Sequence, residues 1–412
     1  MLIGFATAGS ARAQIMSGGD GILFRSDVAG ARLEPQYEPR PVVLGPLIAD
    51  LRVTTQAGFE SNVFNTADKR KSDAVFAIAP SFRILGSFGP HSATFSARAN
   101  IRRFTKLMSE NSETIDLIYG GRLEFGDGAE GIWATQYARD IETRGSSGTN
   151  VIGAGPAELR LLRASWTARS DFGRIGVSTT GSVVQRTYQP LKLTRGGLLD
   201  QSFRDTRAIS IAPRANLAIA PTLSVFVAGS ATKTNSLGSN PAISRDASRY
   251  ALLAGARAEI NGLIIGEIGL GYRGQRYGNP QFKNLSGFTY DATVDWYPTA
   301  LLSIRVQAGR DIVNSGLTTV AGIDRRNAGL NIYYDPLRAL RFSLAVDRER
   351  DNFRELSLRT TTDTTVLTGR YSFGPHLSAS AYGRLQGKSS SDSKRLSGFH
   401  SVSLGVALTG NL

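Results

Sequence analysis

The strongest constraint on the fold is an alternation of apolar and polar residues with a period of two. In residues 93–102 the odd positions carry Ala, Phe, Ala, Ala and Ile, and the even positions carry Thr, Ser, Arg, Asn and Arg. Residues 302–308 and 340–347 repeat the pattern. Neighbouring side chains of a β-strand point to opposite faces, so the pattern predicts strands with one apolar and one polar face. No apolar run is long enough to cross a bilayer as a helix.

Short turn motifs recur along the whole chain. They stand about forty residues apart, at Gly89-Pro90, Gly126-Asp127-Gly128, Asp171-Phe172-Gly173, Ala220-Pro221, Asn261-Gly262, Pro298-Thr299, Asp335-Pro336 and Gly374-Pro375. Longer polar segments lie between them, at 65–71, 144–156, 189–201, 232–244, 275–284 and 387–397. Short turns at one end and long loops at the other are typical of outer-membrane barrels, whose short turns face the periplasm.

Two strands for each short turn, with an opening strand near 49–59 and a closing strand near 399–412, predict eighteen strands, with sixteen as the alternative. The predicted fold is all-β, a transmembrane antiparallel up-and-down β-barrel of 16 to 18 strands. Closure leaves no unpaired strand edge in hydrocarbon, and this many strands leave an aqueous path. Pro80 and Pro213 fall inside predicted strands and are interpreted as bulges or strand ends. Aromatic residues that precede the short turns predict a belt at the headgroup level: Phe125, Trp296, Tyr297, Tyr334, Tyr371 and Phe373.

The N-terminal region divides the chain into three parts. Residues 1–13 end in Ala-Arg-Ala and resemble the end of a signal peptide without its basic start, so the native start is expected upstream. Residues 14–48 form an extension that either enters the lumen or stays in the periplasm, and residues 49–412 form the barrel. The absence of Cys from all 412 residues suits an oxidising compartment. Removal of the signal changes the net charge from +14 to +13, because Arg12 is lost.

Several segments resemble a known bacterial outer-membrane family. They are Gln36-Tyr37-Glu38-Pro39, Gly58-Phe59-Glu60-Ser61-Asn62-Val63-Phe64, and residues 72–76, 79–81, 262–272, 286–288 and 296–299. The resemblance is to the family called putative β-barrel porin 2. It implies an outer-membrane barrel of a Gram-negative bacterium, linked to the export or display of capsular and exopolysaccharides. The chain departs from the family at Glu60-Ser61, where an acidic pair is usual, and at Leu412, where barrels usually end in an aromatic residue.

Motifs for catalysis and cofactors are weak. Residues 269–274 match G-x-G-x-x-G, but they lie within a predicted strand and no helix follows, so a nucleotide site is not expected. His91 and His376 belong to the repeated turn Phe-Gly-Pro-His, and His400 is predicted to face lipid with Ser401 on the opposite face. An outer-membrane hydrolase using His400 is a third alternative. We expect no enzyme, no cofactor and no metal site.

The predicted inward parity carries ten basic residues against six acidic ones. The basic residues are Arg98, Arg102, Arg122, Arg163, Arg169, Arg214, Arg273, Arg305, Arg341 and Arg384. The acidic residues are Asp116, Glu124, Glu267, Asp291, Asp295 and Asp347. An excess of positive charge in an aqueous lumen favours anions. The alternative is that these charges pair across strands and only keep the interior polar.

The sequence therefore predicts a bacterial outer-membrane channel for hydrophilic, anionic solutes or saccharides, with a role in exopolysaccharide export as a further hypothesis. The alternative is a plugged barrel that anchors a polysaccharide or a secretion complex. Expected partners are outer-membrane lipid and lipopolysaccharide, an anionic saccharide and the barrel-insertion machinery, with no nucleic acid. The basic loop residues 69–71 and 394–395 are candidates for lipopolysaccharide phosphates. The sequence leaves the solute and the oligomeric state open.

Overall fold

A computed structural model describes residues 29–30, 36–37, 39–126, 128–146, 153, 155–193, 196–238 and 240–411. The predicted signal remnant, much of the extension and Leu412 lie outside them. Among the described residues, eighteen long strands form the barrel. In chain order, β1 to β18 are Leu47–Glu60, Asp73–Phe88, His91–Phe104, Ser112–Gly126, Ala129–Glu142, Ala157–Phe172, Ile175–Tyr188, Thr206–Ala220, Leu223–Ser236, Ala247–Ile260, Ile264–Tyr277, Leu285–Thr299, Leu302–Asn314, Gly322–Leu337, Leu340–Phe353, Leu358–Ser372, Leu377–Ser390 and Phe399–Asn411.

The sheet closes on itself. Each strand pairs antiparallel with the next one in sequence, and β1 pairs with β18 from Arg52 opposite Asn411 to Glu60 opposite Ser403. The fold prediction is therefore confirmed, with eighteen strands as the count. The predicted nucleotide-motif residues 269–274 lie within β11, as expected.

The described helices are single 3-10 turns, at Met108–Glu110, Ser202–Arg204 and Pro241–Ile243. None of the described helices is long and apolar enough to cross a membrane.

The two ends of the barrel differ as predicted. At one end short connections join the strands, with described turn residues at 89–90, 128, 173–174, 221–222, 261–263, 300–301, 338–339 and 373–376. At the other end the connections are longer, with described residues at 61–72, 105–111, 143–146, 153, 155–156, 189–193, 196–205, 237–238, 240–246, 278–284, 315–321, 354–357 and 391–398. The turns predicted at Pro298-Thr299 and Asp335-Pro336 are wrong by two or three residues. The ladder shifts register beside each proline, and the strand continues past this bulge before it turns.

Pro80 and Pro213 lie in the middle of β2 and β8, so their interpretation as bulges or strand ends is wrong. Pro80 pairs with Val53, and Pro213 pairs with Thr179, in unbroken register. On the other side of each proline the ladder skips two pairs and resumes without a shift. Because proline lacks only its own N–H, it interrupts the ladder towards one neighbour and leaves the strand in place.

The alternation places large apolar side chains on the outer, lipid-facing side of the wall. On β11, for example, Ile268, Leu270 and Tyr272 keep about half of their surface exposed, at 49, 51 and 50%. Most aromatic residues predicted for the belt are also exposed, but Tyr297 is an error. Tyr297 is 5% exposed and packs inside the barrel against Ile265. It follows the outward-facing Trp296, the last residue in register before the bulge in β12, so alternation places it on the inner face.

An apolar cluster fills part of the lumen at the long-loop end. Its buried members are Val320, Ile323, Phe353, Leu358 and Leu396. Phe353 and Ile323 belong to strand ends, whereas Val320 and Leu396 come from loops. Each fully buried side chain of this size contributes about 2 kcal/mol. The loops over β13 to β17 are therefore packed onto the barrel.

Candidate channel lumen

The ten arginines predicted to face inward all share the strand parity opposite to that of the lipid-facing residues. Seven of them form ion pairs, namely Arg102–Glu60, Arg122–Glu130, Arg169–Asp171, Arg214–Glu267, Arg273–Asp311, Arg305–Asp295 and Arg341–Asp335. Within the described part of the chain, Arg98, Arg163 and Arg384 have no carboxylate partner. Whether any of the ten contacts a solute stays a prediction.

The predicted excess of positive charge in the lumen is wrong. Across the described strands, the register adds eight basic residues to the same face: Arg52, Arg83, Arg186, Arg249, Arg257, Arg325, Arg370 and Lys388. It also adds twelve acidic residues: Asp50, Glu60, Asp73, Glu130, Asp140, Glu142, Asp171, Glu259, Asp311, Asp335, Glu349 and Asp351. The two signs balance, because carboxylates on strands without clear alternation were missed. Any selectivity must therefore come from where the charges lie.

A cavity of about 540 Å³ occupies the half of the lumen lined by β17, β18 and β1 to β6. Hydroxyl and amide side chains make up much of its wall: Thr54, Gln56, Asn100, Gln386, Ser401 and Ser403. Such groups donate to and accept from the hydroxyls of a polar solute. The cavity is large enough for a sugar, since pockets for small molecules start at about 300 Å³.

Arg98 and Arg384 stand in the wall of this cavity. The Nε and Nη2 atoms of Arg384 are buried and have no hydrogen-bond partner among the described residues. Arg98 lies directly opposite Asp116 on β4, but that carboxylate accepts from Gln136 Nε2 at 2.8 Å. Buried polar groups are almost always satisfied, so unpartnered guanidinium nitrogens beside an open cavity indicate a place for an anion.

The long loops form a roof over the cavity, and Arg144 holds it. Its Nε donates to Glu110 Oε2 at 2.9 Å, and its Nη2 lies 2.5 Å from Oε1 of the same carboxylate. The Arg144 carbonyl accepts from Asn65 Nδ2 at 2.7 Å, and the neighbouring carbonyl of Gly145 accepts from Lys388 Nζ at 2.9 Å. The loop between β5 and β6 is thus tied to three other parts of the barrel.

A second arginine joins loops on the other side of the mouth. Arg245 donates to the carbonyls of Ser315 and Leu317, and its guanidinium lies 5.1 Å from the ring centre of Phe203. Burial, together with the positive charge of Arg204 nearby, lowers the pKa of Arg245 to about 10. Because this pKa is still well above 7, the side chain stays charged and the link between the loops persists at neutral pH.

The other half of the lumen contains buried ion pairs. Arg325 on β14 binds Asp351 through Nε and Nη2 at 2.7 and 2.8 Å, and its Nη1 lies 2.8 Å from Glu349. Arg273 on β11 pairs with Asp311. Removing one member of such a buried pair would leave an uncompensated charge, so each pair depends on both of its members.

Part of the N-terminal extension reaches the lumen near the short-turn end. The Ala29 carbonyl accepts from Ser303 Oγ at 2.5 Å, and the Gly30 N–H donates to Asp335 Oδ2 at 3.1 Å. Gly30 also lies against the ring of Tyr333, where a Cβ atom would stand 2.7 Å from Cγ. All three barrel residues belong to the inner face of β13 and β14. The remaining residues of the extension before 36 lie outside the described ones.

The three histidines lie at two turns and on the outer face of the barrel. His91 Nδ1 accepts from the Glu124 N–H at 3.2 Å, and His376 Nδ1 lies 3.2 Å from the Asn411 carbonyl, so each repeated turn is tied to a neighbouring strand. His400 lies on the lipid-facing parity of β18 and Ser401 on the inner one. Among the described residues, no group of His, Cys, Asp or Glu could hold a metal ion.

Three solved barrels illustrate the likeness to known structures. Acinetobacter baumannii OccAB3 is 10% identical, with 90% of this chain and 100% of that chain covered and a TM-score of 0.47. Pseudomonas aeruginosa OpdO is 12% identical, with 90% and 98% covered and a TM-score of 0.47. The FrpB iron transporter from Neisseria meningitidis, in its F5-1 variant, is 11% identical, with 84% and 64% covered and a TM-score of 0.49. Such low values say nothing about the solute.

No curated protein matches the chain. The family described as putative beta-barrel porin 2, in contrast, matches residues 34–409, which include all but the last two described residues of the barrel. A closed barrel with a lipid-facing apolar surface and a polar lumen is the architecture that such a family requires, and it implies a location in the bacterial outer membrane. This chain therefore belongs to the putative β-barrel porin 2 family.

Proposed function

We propose that the protein is an outer-membrane channel for a hydrophilic, anionic solute, with a carboxylate-bearing saccharide as the solute class. The observation that carries the proposal is the pair Arg98 and Arg384, whose guanidinium groups line the cavity without a carboxylate partner among the described residues. A bound carboxylate would supply the missing acceptors. The hydroxyl and amide groups of the same wall suit the hydroxyls of a sugar.

The local charge supports an anion although the lumen as a whole is balanced. In the cavity wall, Glu60 is paired with Arg102, Glu110 with Arg144 and Glu142 with Arg204. Among the described residues, Asp116 and Asp140 of the same wall have no arginine partner. Against these two carboxylates stand three arginines without a carboxylate partner in the described part of the chain, Arg52, Arg98 and Arg384, so the wall keeps a small excess of positive charge. Export of an exopolysaccharide, which the family resemblance implies, would use the same groups on a longer chain, and so belongs to the same proposal.

Ion selectivity in planar lipid bilayers tests the proposal. The wild-type protein should conduct, prefer Cl⁻ to K⁺ in a KCl gradient, and be blocked more strongly by glucuronate than by glucose. The double variant Arg98→Gln, Arg384→Gln should lose most of the anion preference and of the glucuronate block, because both arise from these charges. The preference should also weaken as salt rises.

Arg207→Gln provides the matched control for this measurement. Arg207 lies on the lipid-facing side of β8 and donates to Gln185 Oε1 at 2.9 Å, outside the lumen. Its replacement removes the same charge and should leave the selectivity unchanged. The proposal is wrong if the double variant retains the wild-type selectivity, or if glucose and glucuronate block equally.

A second candidate function is a plugged barrel that anchors a surface polysaccharide or a secretion complex. The contacts of Ala29 and Gly30 with Ser303 and Asp335 support it, because they put part of the extension inside the lumen. Deleting residues 14–38 removes these contacts but keeps the strand Val42–Leu44 that pairs with β1. For a plugged barrel, the conductance should be near zero in the full chain and appear after the deletion.

Gly30→Val is a smaller change with the same expected direction. Its backbone φ is +84°, and its side chain would collide with the ring of Tyr333, so the segment should leave its position. Gly45→Val is the matched control, since its φ is +62° but nothing lies within 4 Å of the new Cβ atom. Equal conductance of the full chain, the deletion and Gly30→Val would exclude the plugged version.

A further inference from the structure

A row of arginines crosses the lipid-facing side of the barrel near its long-loop end. Arg326 on β14 lies directly opposite Arg310 on β13 and directly opposite Arg350 on β15. The three side chains share the parity of the lipid-facing residues Leu330 and Val346, so they point away from the lumen. Arg326 and Arg350 are both exposed.

The row lies where the apolar part of the outer surface ends, on the side of the long loops. From the short-turn end, the lipid-facing positions of β14 are Tyr334, Ile332, Leu330, Ala328 and then Arg326. Arg326 lies four positions from Leu330, which is about 13 Å along a strand.

Aromatic side chains beside the row indicate the same depth in the membrane. Phe288 and Tyr290 on β12 pack with ring centres 6.2 Å apart, and Arg310 Nη1 donates to the Phe288 carbonyl at 2.7 Å. Aromatic side chains concentrate where lipid headgroups begin. The arginine row is therefore at the headgroup level of the outer leaflet.

Two of the three arginines carry a charge that nothing in the described chain neutralises. Arg310 binds Asp324 through Nε and Nη2 at 2.8 and 2.7 Å, and Arg354 also contacts this carboxylate at 3.0 Å. In the described part of the protein, Arg326 and Arg350 have no ion-pair partner. Like charges directly opposite each other on neighbouring strands are destabilising, with Cβ atoms about 5 Å apart.

We infer that Arg326 and Arg350 together bind a phosphate group of lipopolysaccharide in the outer leaflet. Two guanidinium groups at this spacing can bridge the oxygens of one phosphate, and such charge-assisted bonds are strong and directional. The bound phosphate would remove the repulsion between the two arginines. The inference rests on the proposed outer-membrane location and not on the transport of any solute.

The basic loop residues are less well placed to bind a lipopolysaccharide phosphate. Lys69 and Arg70 are exposed on the loop between β1 and β2, beyond the end of the strands. Arg395 is engaged within its own surroundings, since its Nη1 donates to the Leu356 carbonyl at 3.3 Å. A phosphate at the level of the lipid headgroups therefore meets the arginine row first.

Lipid retention by the full-length protein tests the inference. The protein is extracted from outer membranes in mild detergent, and the retained lipopolysaccharide is quantified by native mass spectrometry. We expect retention by the wild type, and about tenfold weaker binding by the double variant Arg326→Gln, Arg350→Gln. The control Lys69→Gln, Arg70→Gln removes the same charge from a loop and should bind as the wild type does.

Thermal unfolding with added ligands distinguishes the sources of phosphate. Lipopolysaccharide should raise the unfolding temperature of the wild type but not of the double variant, whereas phosphatidylglycerol and inorganic phosphate should raise neither.

Equal retention by the double variant and the wild type would overturn the inference, and so would equal stabilisation by phosphatidylglycerol. Arg326→Lys, Arg350→Lys checks folding, because it keeps the charges and should bind with intermediate strength. A failed channel proposal would leave all these lipid measurements unaffected.

Discussion

Replacing Gly271 with alanine is expected to prevent the barrel from folding. Gly271 lies on the inner face of β11, and a Cβ atom there would stand 1.9 Å from the Leu252 carbonyl oxygen and 2.8 Å from the Leu253 Cα atom. Both contacts are with the backbone of β10, which cannot move aside as a flexible side chain can. The strands would have to separate, at a cost of about 3 kcal/mol or more. The expected result is loss of the compact, heat-modifiable form on gel electrophoresis.

Gly266→Ala is the control for this prediction. Gly266 belongs to the same strand, but its added Cβ atom would meet only Val294 Cγ2, at 3.7 Å, which is an ordinary contact. This variant should fold as the wild type does. If Gly271→Ala also folds and inserts normally, β10 and β11 do not approach as closely as described.

Replacing Arg144 with alanine is expected to open the roof over the cavity. Glu110 is 5% exposed, and without Arg144 its carboxylate would be buried next to no positive charge. Breaking a buried pair in this way costs about 3 to 5 kcal/mol. The loop between β5 and β6 should therefore leave its position, and the single-channel conductance should rise several-fold. Planar-bilayer recording at fixed salt measures the change.

Arg139→Ala is the matched control for the roof. Arg139 lies on the preceding strand and pairs with Glu158 at 3.0 Å on the lipid-facing side, where both side chains are over 40% exposed. An exposed pair of this kind contributes at most about 1 kcal/mol, so the conductance should stay at the wild-type level. An unchanged conductance in Arg144→Ala would mean that the loop does not restrict the pore.

The face of each predicted arginine followed from parity alone. Because side chains alternate strictly along a strand, Arg98 and Arg384 could be assigned to the inner face from their apolar neighbours. The prediction of Tyr297 as a belt residue failed because it used only the position before a turn. Alternation with the outward-facing Trp296 places Tyr297 on the inner face, where it is found.

The pairing of the inner charges could not be predicted from the sequence. Glu60 and Arg102 are 42 residues apart, and Arg204 meets Glu142 across 62 residues. Such contacts depend on how strands tilt and how loops fold back, which period and spacing do not contain. The expected positive excess in the lumen disappeared for a different reason, because the register placed further acidic residues such as Asp311 and Asp351 on the inner face.

By itself, the sequence determined the all-β class, the two dissimilar ends, a strand number of sixteen to eighteen and the face on which most side chains lie. These properties follow from a period of two and from local turn chemistry. Only the tertiary structure decided which arginines keep an unpaired charge, which loops cover the cavity, and where Arg326 and Arg350 meet on the outer surface. Those properties depend on contacts between distant segments, and the closed sheet creates these contacts when its last strand pairs with its first.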